Sequence, residues 1–260
     1  MTDDIPMGIA ELRPNVYKFK AEKPGSHVYL IKGGKKNVLI DTGTTASFPH
    51  LRIFLKELGL APRDIHFVIL THEHFDHIGA TTFFFNTATV AAHRLAANKI
   101  EMQDEFVTMM KHCNISCKPF RADIWLEDLS LIDLGNYKLQ ALHTPGHTSG
   151  CICLYEAREK ILFSGDTVFA DGVLSGISSS GNISDYMDSL QRLCALKVDH
   201  LYPGHGKTSD DPEGDILRGL EAARSLMEDT KTIFDALSRK WDRQEMVDRV
   251  LRRLSTSKDK

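Results

Sequence analysis

The segment Thr71–His77, THEHFDH, places three imidazoles and two carboxylates within seven residues, directly after the apolar run Phe67-Val68-Ile69-Leu70. Such a run, bounded by polar residues, reads as a strand buried on both faces. Polar side chains gathered at the end of a buried strand must find partners or a cation, because an unpaired buried polar group is costly. The rest of the chain has to meet that demand.

Strand-like and helix-like segments alternate around the cluster. Residues 16–20, 27–32 and 37–43 are short, β-rich and divided by Gly, Pro and Lys turns. Residues 48–60 carry Leu51, Phe54, Leu55 and Leu58 at helical spacing, with Gly59 as the stop. A strand over 64–71 follows. Further strands are expected at 137–144, 150–157, 160–167 and 200–206, with a helix at about 184–197. From Pro212 the pattern is helical, with Leu217, Leu220, Ala223, Leu226 and Met227 on one stripe. Residues 92–122, with Met102, Phe106, Met109 and Met110, read as helical: either an insertion or lid over a pocket, or a packed helix pair. The expected division is a domain over 1–212 and a helical segment over 213–260 packed on it.

Composition removes several function classes. With 260 residues and a formal charge of −3, the chain has no basic field to attract nucleic acid. The opening MTDDIPMG lacks the apolar run of a signal peptide, and no segment approaches a membrane span. The expectation is a cytoplasmic protein with a small-molecule substrate, no nucleic-acid or membrane partner, and homodimer formation left open. Five cysteines, an odd number, point to reduced thiols. Cys113 and Cys117 have no second pair at zinc-finger spacing, and Cys151 and Cys153 alternate along a strand, so buried thiols are expected.

Partners for the cluster lie downstream: His147 in HTPGHTSG, Asp166 in FSGDTVF and His205 in YPGHG. Each follows a strand-like run, where α/β sheets gather functional loops. Each is flanked by Gly or Pro, which allow close backbone approach. With His72, His74, Asp76 and His77 they make seven candidate ligands in four segments.

The order His-x-His-x-Asp-His, then His147 in TPGHT, Asp166 in GDT and His205 in PGHG, resembles the metallo-β-lactamase-fold hydrolases from about residue 16 to about 206. Asp41 in LIDTG matches an early motif of that family. The resemblance implies an α/β protein: an αββα four-layer sandwich of two mixed β-sheets flanked by helices, with a C-terminal helical tail. It implies one ion on His72, His74 and His147, a second on Asp76, His77 and His205, Asp166 between them, and Asp41 orienting a ligand from behind. Two divalent cations are expected, zinc first, with iron or manganese as alternatives. The implied chemistry is hydroxide attack on an ester, thioester or lactone carbonyl, with Asp76 able to take up a proton.

Departures from individual family patterns narrow the reading. Class B β-lactamases of this fold lack the bridging aspartate. Flavodiiron proteins carry Glu where His74 stands, and Glu73, one position off, is expected to point away. The RNA-processing members carry an inserted domain or RNA-binding arm that this sequence does not show. Spacing between Asp166 and His205 looks like glyoxalase II, yet residues 170–182, ADGVLSGISSSGN, hold no Arg or Lys for a glutathione carboxylate. Phe169 stands where acyl-homoserine lactonases place a Tyr, and it has no hydrogen to donate. The expectation is therefore a dinuclear-metal hydrolase of a small ester-type bond, acyl group unspecified. Its alternatives are a mononuclear iron dioxygenase of the persulfide-dioxygenase type on His72, His147 and Asp166, and a non-enzymatic metal-containing binding protein. Phe83-Phe84-Phe85 is expected to pack against the sheet, His143 to stand behind the ligands, and Tyr186 and Tyr202 to be candidates for pocket walls. His27, His50, His66, His93, His112 and His200 read as structural or exposed.

Overall fold

A computed structural model describes residues 8–20, 23–110 and 118–240. His112, Cys113, Cys117 and the last part of the expected tail, 241–260, lie outside the described residues. The first sheet holds seven strands in chain order: β1 (Ile9–Arg13), β2 (Val16–Phe19), β3 (Val28–Lys32), β4 (Asn37–Ile40), β5 (Phe67–Leu70), β6 (Thr89–His93) and β7 (Ile124–Leu126). Pairing is antiparallel through β4 and parallel from β4 to β7. The second sheet runs β12-β11-β10-β9-β8, from β8 (Leu131–Asp133), β9 (Lys138–His143), β10 (Ile152–Glu156), β11 (Ile161–Gly165) and β12 (His200–Pro203). Only β11 and β12 are parallel there, so both sheets are mixed.

Alternation along the strands builds the layers. Val38, Ile40 and Ile69 meet Leu139, Leu154 and Phe163 between the sheets. Their neighbours Leu39, Val68 and Leu70 point the other way, onto Leu51 and Leu55 of α1 (Phe48–Glu57) and Ala96 and Ile100 of α3 (Arg94–Glu101). Across the molecule, Leu162 and Leu201 pack on Tyr186 and Leu190 of α4 (Ile183–Leu193) and Ile216 and Leu220 of α5 (Pro212–Lys240). Covering both faces explains why these strands read as unbroken apolar runs. Each fully buried Leu or Ile contributes about 1.5–3 kcal/mol. The layers are those of the αββα sandwich expected from the resemblance. Among the described residues, no helix is long and apolar enough to cross a membrane.

Several local expectations are corrected. Strands β7 and β8 have exposed residues and only three positions each, too few for a period to register. In β6, Ala91 and Ala92 suggest helix, but both are buried between neighbouring strands. Residues 92 and 93 therefore close a strand. Helix α3 begins at Arg94, where the His93 side chain accepts from the Leu95 N–H, and it ends at Glu101. The buried stripe of α5 is Ile216, Leu220 and Ala223, while Leu217, Leu226 and Met227 are exposed. Of the three phenylalanines, Phe84 is buried, whereas Phe83 and Phe85 are exposed and Phe83 stacks on Phe48.

Candidate metal centre

Strand ends position every candidate ligand. Parallel β4 and β5 deliver Asp41 and the 71–77 loop, which turns into the one-turn helix α2 (Phe75–Ile78). In the second sheet β9, β11 and β12 run in one direction and deliver His147, Asp166 and His205. The two sets of loops meet. Nδ1 of His74 lies 3.1 Å from Nε2 of His72 and 2.9 Å from Nε2 of His147. Nε2 of His77 lies 3.3 Å from Nε2 of His205, 3.3 Å from Oδ1 of Asp166 and 3.7 Å from Oδ2 of Asp76. His205 Nε2 stands 3.1 Å from Asp76 Oδ2. The carboxylate of Asp166 reaches both groups, with Oδ2 3.8 Å from His147 Nε2 and 3.6 Å from His205 Nε2. Ligand atoms fall into three sets, each within 4.8 Å: His72, His74 and His147; His72, His77 and Asp166; Asp76, His77 and His205.

The far side of four rings is held by hydrogen bonds. Thr71 donates its backbone N–H and its hydroxyl to Asp41, each at 2.7 Å, and the same hydroxyl accepts from His72 Nδ1 at 3.2 Å. Asp41 also accepts from His77 Nδ1 at 2.7 Å. His147 Nδ1 donates to the Gly176 carbonyl, and His74 Nε2 donates to the Ser178 hydroxyl at 3.1 Å. Each ring proton is thereby assigned to the outward nitrogen, which leaves the inward nitrogen a lone pair. Asp41 makes its three contacts from a left-handed backbone (φ 59°), uncommon for a side chain other than Gly.

Inward lone pairs at 2.9–3.1 Å repel one another unless a cation lies among them. Protonation does not relieve this in the histidine-rich half: burial holds His72 well below its usual value, and burial with nearby His147 and His77 pushes His74 down to about 3. In the acidic half, burial raises Asp166, but His77 and His205 outweigh it and hold the carboxyl well below the usual range. Burial likewise opposes charge on His77, yet Asp166, Asp41 and Asp76 keep its imidazole well above the ordinary value. Oδ1 of Asp166 is buried with no hydrogen-bond partner. The neutral imidazoles of the histidine-rich half beside the Asp166 carboxylate form a donor set that suits a divalent cation. The glycine of PGHG keeps the space open: a Cβ on Gly204 would lie 2.4 Å from Asp166 Oδ1 and 2.8 Å from His77 Cε1.

Apart from Asp41, the supporting residues were the part sequence reasoning missed. Residues 170–182, singled out only for lacking a basic side chain, supply the Gly176 carbonyl, Ser178 and Ser180. Glu73 does point away from the metal ligands. Its carboxylate is fully buried against Lys99 at 2.7 Å, Thr148 at 3.0 Å and Ser180 at 3.2 Å, so it ties the 72–74 loop to α3 and to the loop of His147. The one available signal was Lys99, a cation in the otherwise mostly apolar stretch LAANKI. His27 pins the PGHG loop, donating its backbone N–H to Gly204 and a ring N–H to Gly206, both at 2.7 Å. His143 bonds the Ser149 carbonyl and stacks on His93.

Neither tyrosine lines the site. Tyr186 is buried with its hydroxyl on the Thr167 carbonyl at 2.7 Å, and Tyr202 is buried beside Tyr29. Phe169 does approach the cluster, its ring edge-on to His205 at 6.0 Å. The buried thiols are not activated: burial raises Cys151 well above its usual value and Cys153 to about 11.

A fold of two packed mixed sheets with a His/Asp cluster at their strand ends defines a divalent-metal hydrolase, and the comparisons agree. The profile of the metallo-beta-lactamase superfamily matches residues 22–205, and the chain belongs to that superfamily. It is similar to the acyl-coenzyme A thioesterase MBLAC2 of Homo sapiens, 32% identical over 212 residues covering 70% of this chain and 74% of the relative. A probable metallo-hydrolase of Methanocaldococcus jannaschii is 35% identical over 192 residues, covering 71% of this chain and 89% of the relative. Among solved structures, a metallo-beta-lactamase family protein from Thermus thermophilus superposes with TM-score 0.70 at 25% identity, covering 84% of this chain and 82% of that one.

Proposed function

We propose that this chain is a dinuclear-metal thioesterase that cleaves an acyl thioester by attack of water. The observation that carries the reading is the carboxylate of Asp166. It lies between a three-imidazole set and a mixed set of Asp76, His77 and His205, with one buried oxygen that makes no hydrogen bond and stands 3.3 Å from His77 Nε2. His72, His74 and His147 would hold one ion, Asp76, His77 and His205 the other, and Asp166 both, with zinc favoured by the imidazole-rich set. Two cations bound there would supply Lewis acidity and lower the pKa of a water to about 7. Asp76, whose side chain is more exposed than that of Asp166, takes up the proton that the water loses. Asp41 and Thr71 hold His77 and His72 in the required tautomers. Phe169 and Tyr186 offer no free donor, so neither is assigned to the carbonyl.

The thioester class is supported by the names of the relatives and by the absence of a lactonase-type Tyr at Phe169. A mononuclear iron site on His72, His147 and Asp166 fits less well, because His74 stands within 3.1 Å of both ring nitrogens. The test is initial rates of the zinc-loaded protein on an acyl-coenzyme A, on S-lactoylglutathione and on an acyl-homoserine lactone, with metal content measured alongside. Thioester turnover with two ions per chain is expected. Lactone turnover alone, or one iron per chain, overturns the reading.

A further inference from the structure

A cavity of about 600 Å³ opens beside the metal loops, on the α1 face of the first sheet. Its floor is apolar, with Phe54 and Phe19 in contact at 5.5 Å between ring centroids. Its rim carries Lys20, Lys23 and His50, all exposed, and among the described residues none that lines it is acidic. Among the described residues no carboxylate pairs with either lysine.

One wall is shared with the metal centre. Ser26 lines the cavity and donates its hydroxyl to the Asp76 carbonyl at 2.8 Å. Thr44 lines it too, two residues after Thr42, whose N–H and hydroxyl both bond the His77 carbonyl. A ligand seated here therefore lies against the backbone that carries two candidate ligands. Two lysines lining a cavity that also presents Phe19 and Phe54 suit a flat ring bearing phosphates: phosphate oxygens on the lysines, ring on the phenylalanines. Inorganic phosphate would leave the floor unused, and an apolar chain would leave the lysines unused.

We propose that this cavity binds the phosphorylated nucleotide end of the thiol carrier whose thioester the metal centre cleaves. The inference rests on the thioesterase reading and assigns its leaving group: a long thiol with a nucleotide at the far end. Specificity for the carrier then comes from this cavity, while Gly176 and Ser178 of residues 170–182 are engaged with His147 and His74.

The experiment compares the full-length protein with the Lys20→Glu/Lys23→Glu double variant on two substrates sharing one acyl group. One is the acyl-coenzyme A; the other is the acyl thioester of N-acetylcysteamine, which has no phosphate. The kcat/KM preference for the coenzyme A substrate should fall about tenfold or more, mostly through KM, with a weaker salt dependence. An unchanged preference overturns the inference while leaving the thioesterase reading intact. If the unmodified protein cleaves neither of these substrates nor S-lactoylglutathione, the thioesterase reading fails by itself. Direct titration with coenzyme A then decides the cavity: binding weakened in the variant supports it, and equal or absent binding overturns it.

Discussion

The imidazoles of His72, His74 and His147 are buried, and each is held from behind by Thr71, Ser178 or the Gly176 carbonyl. In the other half of the cluster, His205 leaves 34% of its side chain exposed and Asp76 leaves 14%. Only His77 there is anchored, through Asp41. The first half is fixed before any ion arrives; the second has one rigid ligand and two that face the opening. A rigid set loses little freedom on binding and holds its ion tightly, whereas a more open set can exchange ligands and admit substrate. On the two-ion reading proposed above, this asymmetry would give tight retention to the histidine-rich side and substrate access to the acidic side.

Five variants break or sharpen this contrast. Removing the carboxylate that joins the halves has the largest effect: Asp166→Ala should lower hydrolysis by about 10³-fold or more and reduce metal per chain. Turnover and metal content both unchanged would show that the halves do not share it. Next is the strut behind the rigid half. Lys99→Met leaves the fully buried Glu73 carboxylate without its counter-charge and should cost about 3 kcal/mol in chemical denaturation. Glu73→Gln/Lys99→Met should recover most of that, and a single variant within about 0.5 kcal/mol of the parent would remove the strut.

A smaller loss is expected from Asp41→Asn, which weakens the acceptor on His77 Nδ1. Competition against a chelator should show the acidic half weakened by about 10–100-fold while the histidine-rich half keeps its ion. Loss of both ions together would mean the halves are not separable. The smallest effect belongs to Ser178→Ala. It removes one hydrogen bond from the back of His74, worth about 1 kcal/mol, and should raise the dissociation constant of the first ion about fivefold. No change would leave the protein matrix alone to orient that ring.

The legibility of the molecule follows the range of the interactions. Strands such as Phe67–Leu70 and helix α1 were readable because their apolar period is local. Strand β6 was not, since Ala91 and Ala92 prefer helix and are held extended by neighbours far along the chain. The stripe of α5 was misplaced by a residue because its exposed leucines and methionine look, by type, like core. Glu73 was read correctly as pointing away, but its partner Lys99 lies 26 residues on and left no periodic trace.

By itself the sequence determined the inventory: which donor types are available, in what order, and that each group follows a strand. Ligand chemistry resides in side-chain type and short spacing, and both are written locally. Tertiary structure alone decided which nitrogen of each ring faces inward, which carboxylate oxygen is left without a hydrogen bond, and which lysines share a cavity with the phenylalanines. These depend on contacts such as His74 with Ser178, 104 residues apart, and His77 with His205, 128 apart. Only packing two sheets against each other brings such distant residues within reach, because burial and not sequence proximity is what drives their approach.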